Sequence, residues 1–300
     1  MLSEASMQIF VLVLAVFLQD SCGAANYEAT CGIFKRPTST WRSRVSSLRE
    51  ESTSPYILGG ITSSTDDFPW MVSLRRLRPG NKVSTHFCGG SIVSENAVVT
   101  AAHCVEEASD QNPIVVLFYD TQKKMFVRKI KRIVIHPRYN TQTNDYDIAI
   151  LETESKFDFG GAESFLRPIC LPKEDDQIEL WRVCAVAGWG KLNQEDRYAS
   201  RSLLMSDVPI VDKRLCQRSY SFLNPITNRM FCAGDYEHGQ KGTCQGDSGG
   251  PVMCLRPDRQ RYQLMGVTSW GFSCGKAKFP SVFTDVAKLT QFIKETTGLE

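Results

Sequence analysis

The stretch Cys244-Gln245-Gly246-Asp247-Ser248-Gly249-Gly250-Pro251 decides how this chain is read. One serine stands among three glycines, with an acid directly before it. Glycine reaches backbone conformations closed to other residues. Such a loop can therefore expose a hydroxyl and bring backbone N–H groups close to a reacting oxygen. The segment points to Ser248 as a nucleophile, which needs a base elsewhere in the chain to activate it.

Gly246-x-Ser248-x-Gly250 also matches the nucleophile elbow of α/β-hydrolases, but that fold needs a histidine after the serine. The four histidines, His86, His103, His136 and His238, all precede Ser248, so the elbow reading fails. A base must come from earlier in the chain. His103 lies in Thr100-Ala101-Ala102-His103-Cys104, at the end of an apolar strand. Small neighbours and an adjacent cysteine staple would hold an imidazole rigidly; taken alone, the segment equally fits an ordinary turn histidine. Asp147 opens the apolar run Ile148-Ala149-Ile150-Leu151, which draws it toward the interior. A buried carboxylate there needs a partner, and a histidine N–H would serve; a strand-start cap is the other reading. His, Asp, Ser is one of the chain orders in which catalytic triads occur.

The rest of the chain sets the context. Its 300 residues are 42% hydrophobic and 23% charged, with a formal net charge of +2. That composition excludes a disordered or collagen-like chain, and the small charge gives no reason to expect nucleic acid as a partner. Eleven cysteines suggest an oxidising compartment, and the odd count leaves one unpaired. Ile9–Leu18 is an apolar run too short to span a bilayer but right for a signal-peptide core, with small residues Ser21–Ala25 after it. The expected layout is a signal peptide over 1–24, a pro-segment and linker over 25–56, and a main domain over 57–300. Removal of the leader would take Cys22 with it and leave ten cysteines. The product would be secreted, with no stable membrane insertion. Residues 37–55 are rich in Ser and Thr and read as an exposed linker. From Ile57 onward short β-rich runs alternate with turns, among them Ser91–Val93, Ala97–Thr100, Ile114–Phe118 and Leu264–Val267. This pattern predicts an all-β sandwich or barrel. Only the tail, with Val286, Leu289, Phe292 and Ile293 at helical spacing, reads as a helix.

The three segments together resemble the trypsin-like (chymotrypsin-family) serine proteases. Further landmarks appear in the family's order: Ile57-Leu58-Gly59-Gly60, Phe87-Cys88-Gly89-Gly90-Ser91, Cys170-Leu171-Pro172, Ala187-Gly188-Trp189-Gly190, Phe231-Cys232-Ala233-Gly234 and Ser269-Trp270-Gly271. The resemblance implies two six-stranded antiparallel β-barrels with a C-terminal α-helix and the active site between them. It implies His103, Asp147 and Ser248 as the triad, with the N–H groups of Gly246 and Ser248 as the oxyanion hole. It pairs Cys88–Cys104, Cys184–Cys254, Cys216–Cys232 and Cys244–Cys274. It leaves Cys31 and Cys170, which in such relatives tether the pro-segment after cleavage. It implies no metal or cofactor: no C-x-x-C occurs, and the family's calcium loop is shortened here and lacks its acidic pair. Implied partners are protein or peptide substrates, protein inhibitors, and an activator, either another protease or the enzyme itself.

Two departures matter. In the family a new N-terminus is freed at the Ile57 position, and its ammonium pairs with the acid before the serine, here Asp247. Most relatives present Arg or Lys before that cut, whereas this chain presents Pro55-Tyr56. A non-catalytic or poorly activated protease-like binding protein is the alternative this departure leaves open. The second departure is the specificity pocket. By the resemblance its floor is Gly242, where cleavage after basic residues needs an Asp; Ser269, Trp270, Gly271 and Ser281 are its other substrate-binding residues, with Gly271 leaving the entrance open and Ser281 on the opposite wall. A buried substrate Lys or Arg would go unpaired there, so the expected preference is for aromatic or large aliphatic residues. Lastly, residues 121–132 carry six cations and no acid, which fits either an exosite for an anionic partner or a solvated strand face.

Overall fold

The alternation of short apolar runs and turns produces fifteen strands in the computed structural model, which describes residues 27, 29–34, 61–120, 122–181, 183–257 and 261–299. The expected signal peptide, the linker, the bond before Ile57 and Ile57 itself lie outside the described residues. In chain order the elements are β1 Ile61–Thr62, β2 Met71–Arg78, β3 Lys82–Val83, β4 Cys88–Ile92, β5 Ala97–Thr100, β6 Ile114–Tyr119, β7 Met125–Ile135 and β8 Ala149–Thr153. They continue with β9 Cys184–Gly188, β10 Leu204–Asp207, β11 Ile210–Val211, α1 Lys213–Tyr220, β12 Met230–Ala233, β13 Pro251–Leu255, β14 Tyr262–Trp270, β15 Ser281–Asp285 and α2 Thr290–Thr297.

The first half forms a ring of six antiparallel strands in the order β2-β4-β5-β8-β7-β6. It closes because β2 pairs on its other edge with β6, Ser73 opposite Leu117 and Leu74 opposite Val116. The second half runs β1-β10-β9-β13-β14-β15-β12-β11. Six strands of four or more residues form its body, the two-residue β1 and β11 flank them, and no ladder joins the two ends among the described strands. These are the two expected barrels, one closed and one open, followed by the expected C-terminal helix.

Burial explains the sequence patterns. Strands β4, β5, β9 and β13 are buried at every residue, so they show no alternation. A sheet covered on both faces reads as a continuous apolar run. β7 alternates because one face meets solvent. This settles much of the basic run: Lys131 and Arg132 pair with Glu152 on β8, while Arg128 pairs with Glu163 and lies 5.3 Å from the centre of the Phe118 ring. Acids distant in sequence answer half of its cations, as expected of a solvated strand face.

One element escaped the sequence reading. α1 is only eight residues long and polar, so periodicity gave no signal. Its start is nonetheless encoded: Asp212 accepts the backbone N–H groups of Arg214 and Leu215, the usual role of an N-cap acid. Cys216, bonded to Cys232 on β12, ties it to the second barrel. All five expected disulfides are present, Cys31–Cys170, Cys88–Cys104, Cys184–Cys254, Cys216–Cys232 and Cys244–Cys274. Cys31 thus joins the N-terminal segment to the segment between the barrels. Among the described residues no helix is long and apolar enough to cross a membrane.

Candidate active site

The glycine loop ahead of β13 is held from both barrels. The Ser248 carbonyl accepts the N–H of Gly89 on β4 at 2.7 Å, and the Gly249 N–H donates to Thr268 on β14 at 2.8 Å. Gly249 has φ +75°, and a Cβ there would sit 2.2 Å from Thr100 Oγ1 and 2.6 Å from the Gly89 carbonyl. Only glycine lets the loop approach the first barrel this closely. Ser248 is half-buried, at the seam.

His103 follows β5 in a single 3₁₀ turn, Ala102–Cys104, which the Cys88–Cys104 bond ties to β4. Asp147 precedes β8, the strand that pairs with β5, Thr100 opposite Ala149. That pairing brings residues 44 apart in sequence together: Asp147 Oδ1 accepts the His103 backbone N–H at 3.0 Å and Oδ2 accepts Nδ1 at 2.7 Å. Asp147 is fully buried. Ser269 donates its hydroxyl to Oδ2 as well, and Thr284 donates to the Asp147 carbonyl at 2.8 Å. The β14–β15 register shifts between Thr268 and Trp270, and a bulge of this kind re-aims a side chain. Ser269 lines the cavity beside Ser248, as expected of a substrate-binding residue, and at the same time spends its hydroxyl on Asp147.

Burial alone would lower the His103 pKa, but the hydrogen bond and charge of Asp147 outweigh it and the pKa is raised above 6.5. If the imidazole works as a base it must be neutral, so the rate should rise with pH through a midpoint above 6.5. Asp147→Asn removes the hydrogen bond to a charged group and the main charge that hold the pKa up, leaving burial opposed only by the charge of Glu106, so the midpoint should move downward as the rate falls. A pH profile of kcat/KM for both proteins reads this; an unmoved midpoint would assign the titration to another group. Among the described residues no hydrogen bond joins His103 Nε2 to the Ser248 hydroxyl, and such links often tighten only around a substrate.

Asp247 points away from Ser248 into the interior. Its carboxylate accepts the N–H of Gly190 at 2.8 Å and of Cys244 at 3.0 Å. Gly188 and Gly190 make its room: a Cβ at either would lie 2.2 or 2.4 Å from carboxyl atoms. Among the described residues no cation faces it, and burial pushes its pKa up to about 6. Gly246, at φ +100°, presents its carbonyl to His86 Nε2 at 2.7 Å, and His86 Nδ1 meets Ser73 Oγ at 2.8 Å. Burial, with the nearby charge of Arg75, lowers the His86 pKa to about 4. A neutral imidazole therefore donates Nε2–H to Gly246 and accepts from Ser73. The sequence reading assigned no role to His86 or Ser73; the one available signal was the position of His86 beside Phe87-Cys88-Gly89-Gly90. Among the described residues neither the Gly246 nor the Ser248 backbone N–H is taken by a neighbour.

Beside Ser248 opens a cavity of about 170 Å³, walled by Thr243, Trp270, Gly271, Phe272 and Ser281 among others, with no charged residue in its lining. Gly242, expected as the floor, is not among the lining residues; it has φ +152°, and a Cβ there would stand 2.9 Å from the Oγ of Ser281, which does line the cavity. That hydroxyl accepts the Thr243 N–H at 3.0 Å, and Ser281 rather than Gly242 meets the cavity. Ligand atoms of Cys88, His103 and Cys104 lie within 4.8 Å of one another. The two sulfurs are joined in a disulfide, so they offer no thiolate to a metal.

A family model described as Trypsin matches residues 57–293. Trypsin 5G1 of Aedes aegypti is 36% identical over 245 residues, covering 81% of this chain and 85% of its own. Trypsin Blo t 3 of Blomia tropicalis is 35% identical over 243 residues, covering 80% and 85%. Transmembrane protease serine 7 of Mus musculus is 34% identical over 241 residues, covering 79% of this chain; the chain spans only 28% of that relative's length. Two β-barrels meeting at such a seam define the class of two-barrel serine proteases. The chain belongs to the trypsin family within it.

Proposed function

We propose that the protein is a secreted serine endopeptidase, made as a zymogen, that cleaves after aromatic or large aliphatic residues. The observation that carries this reading is the buried Asp147 carboxylate bonded to His103 at 2.7 Å, at the seam where the Ser248 loop is clamped. Ser248 Oγ attacks the scissile carbonyl carbon as its proton passes to His103 Nε2. The N–H groups of Gly246 and Ser248 take the oxyanion. The intermediate collapses, the C–N bond breaks, and the leaving amine takes the proton from His103. Water repeats the sequence on the acyl-enzyme. Asp147 keeps the imidazole tautomer and balances its positive charge.

Residues 1–24 act as signal peptide, 25–56 as pro-segment and 57–300 as protease domain in this reading. Cleavage before Ile57 frees an ammonium for Asp247, whose unpaired burial is costly. The uncharged pocket lined by Trp270, Gly271 and Ser281, with a glycine and no acid at position 242, accepts Tyr, Phe, Leu or Met better than Lys or Arg. One observation favours a second reading, a protease-like binding protein: the activation bond follows Tyr56, which a protease specific for basic residues does not cut. Sequencing the N-terminus of the secreted protein and assaying it on aminocoumarin peptides ending in Tyr, Leu or Arg separates the two. Tyr or Leu should exceed Arg by on the order of a hundredfold in kcat/KM, since an unpaired buried cation costs several kcal/mol. A chain cut before Ile57 that hydrolyses none of the three supports the binding protein.

A further inference from the structure

On the far side of Gly246 from the specificity pocket lies a second, larger cleft of about 730 Å³. Gln245 lines both cavities, so the two meet at the nucleophile loop. A substrate whose side chain fills the first cavity has its scissile carbonyl at Ser248. Its chain then leaves past Gly246 and Phe87, which adjoins the disulfide under His103. The residues after the cut thus enter the second cleft.

That cleft is basic. Arg75, Lys191, Arg197 and Arg201 line it, and no acid does. The whole chain has 35 cations against 33 acids, so four cations with no acid is a local concentration. Nor are they neutralised as those of β7 are: among the described residues none of the four joins an ion pair. Glu195 and Asp196 share the loop with Lys191 and Arg197 but do not line the cleft, and Asp196 caps the Asn193 N–H at 2.9 Å. Arg75 is held in place, Nη2 donating to the Tyr119 hydroxyl at 2.9 Å and Nε to Ser73 Oγ at 3.2 Å. A guanidinium fixed in this way loses little freedom when it takes a carboxylate.

We propose that this cleft selects substrates carrying Asp or Glu within the first residues after the scissile bond. The proposal rests on the endopeptidase reading above and adds the chemistry of the leaving side. It also separates physiological substrates from the chain's own activation site, where Ile57-Leu58-Gly59-Gly60 follows the bond and offers no acid.

The test uses the cleaved enzyme and quenched-fluorescence peptides identical up to a Tyr at the cut. They carry Asp, Ala or Lys at the second and third residues beyond it. An aminocoumarin substrate, with no residues after the cut, is the control. Arg197 and Arg201 are exposed, so Arg197→Glu/Arg201→Glu removes charge with little risk to folding. The Asp peptide should exceed the Lys peptide by on the order of tenfold in kcat/KM at low salt, with the ratio shrinking as salt rises. The double variant should lose that ratio and keep its rate on the aminocoumarin substrate. Equal rates on the three peptides overturn the proposal, as does a double variant that slows all substrates alike. Should no substrate be cleaved, the endopeptidase reading fails, and binding of labelled Asp and Lys peptides to Ser248→Ala still decides the cleft. Tight binding of a sulfated oligosaccharide with no Asp-over-Lys preference would assign the cleft to a polyanion instead and overturn the proposal.

Discussion

Ser248→Ala and His103→Ala should each lower kcat/KM by at least about 10⁴-fold, or roughly 5.5 kcal/mol of transition-state stabilisation. The double variant loses little more, because the two side chains act as one unit. The fold should survive both changes. The loop is clamped through the Ser248 carbonyl and the Gly249 N–H, not through the serine hydroxyl, and the Cys88–Cys104 bond still closes the His103 turn. Circular dichroism and kinetics on a Tyr-aminocoumarin substrate read the two properties separately. A Ser248→Ala protein that keeps a tenth of the activity would end the nucleophile assignment.

Asp247→Asn has the second-largest effect, and it separates precursor from enzyme. In the uncleaved chain burial pushes the Asp247 pKa from 3.8 up to about 6. The folded state therefore prefers the protonated acid. The cost of burial is absent below about pH 4 and grows as pH rises through 6. It reaches about 3 kcal/mol at neutral pH. This pH-dependent loss of precursor stability should vanish in Asp247→Asn, as urea unfolding at pH 4 and pH 7.5 would show. Under the proposed activation the sign should reverse in the cleaved enzyme, because the new ammonium would have lost its carboxylate. A broken buried pair costs about 3–5 kcal/mol, so activity should fall by on the order of 10²–10³-fold. Gly190→Ala gives an independent check, since its Cβ would lie 2.4 Å from the Asp247 carboxyl carbon and displace the same side chain. If Asp247→Asn leaves cleaved-enzyme activity intact, the acid plays no part in activation.

The strands were legible because burial leaves a mark on composition. Ala97–Val99 and Ile114–Tyr119 are apolar without a break and read as buried β-structure. α1 was not, because eight residues held by a capping acid and a disulfide need no amphipathic stripe. The basic run of residues 121–132 reads as a patch only while its partners are unknown; Glu152 and Glu163 reach it through the β7–β8 pairing and a loop. His86 carries no local signal beyond its place beside Phe87-Cys88-Gly89-Gly90. Its place depends on β2 supplying Ser73 and on a loop 160 residues away supplying Gly246.

The sequence by itself determined which chemical groups are present: one serine in a glycine loop, a histidine and an acid before it, and a pocket floor without charge. It also carried the glycines that a tight loop requires, because their lack of a side chain is a property of the residue. Only the tertiary structure decided how those groups are used. Ser269 lines the pocket and also bonds to Asp147; His86 holds the Gly246 carbonyl; and four cations from separate segments, β2 and the Lys191–Arg201 loop, gather in one cleft. Charge and hydrogen-bond partnership depend on distance in space, and strand pairing brings together residues that chain spacing cannot relate.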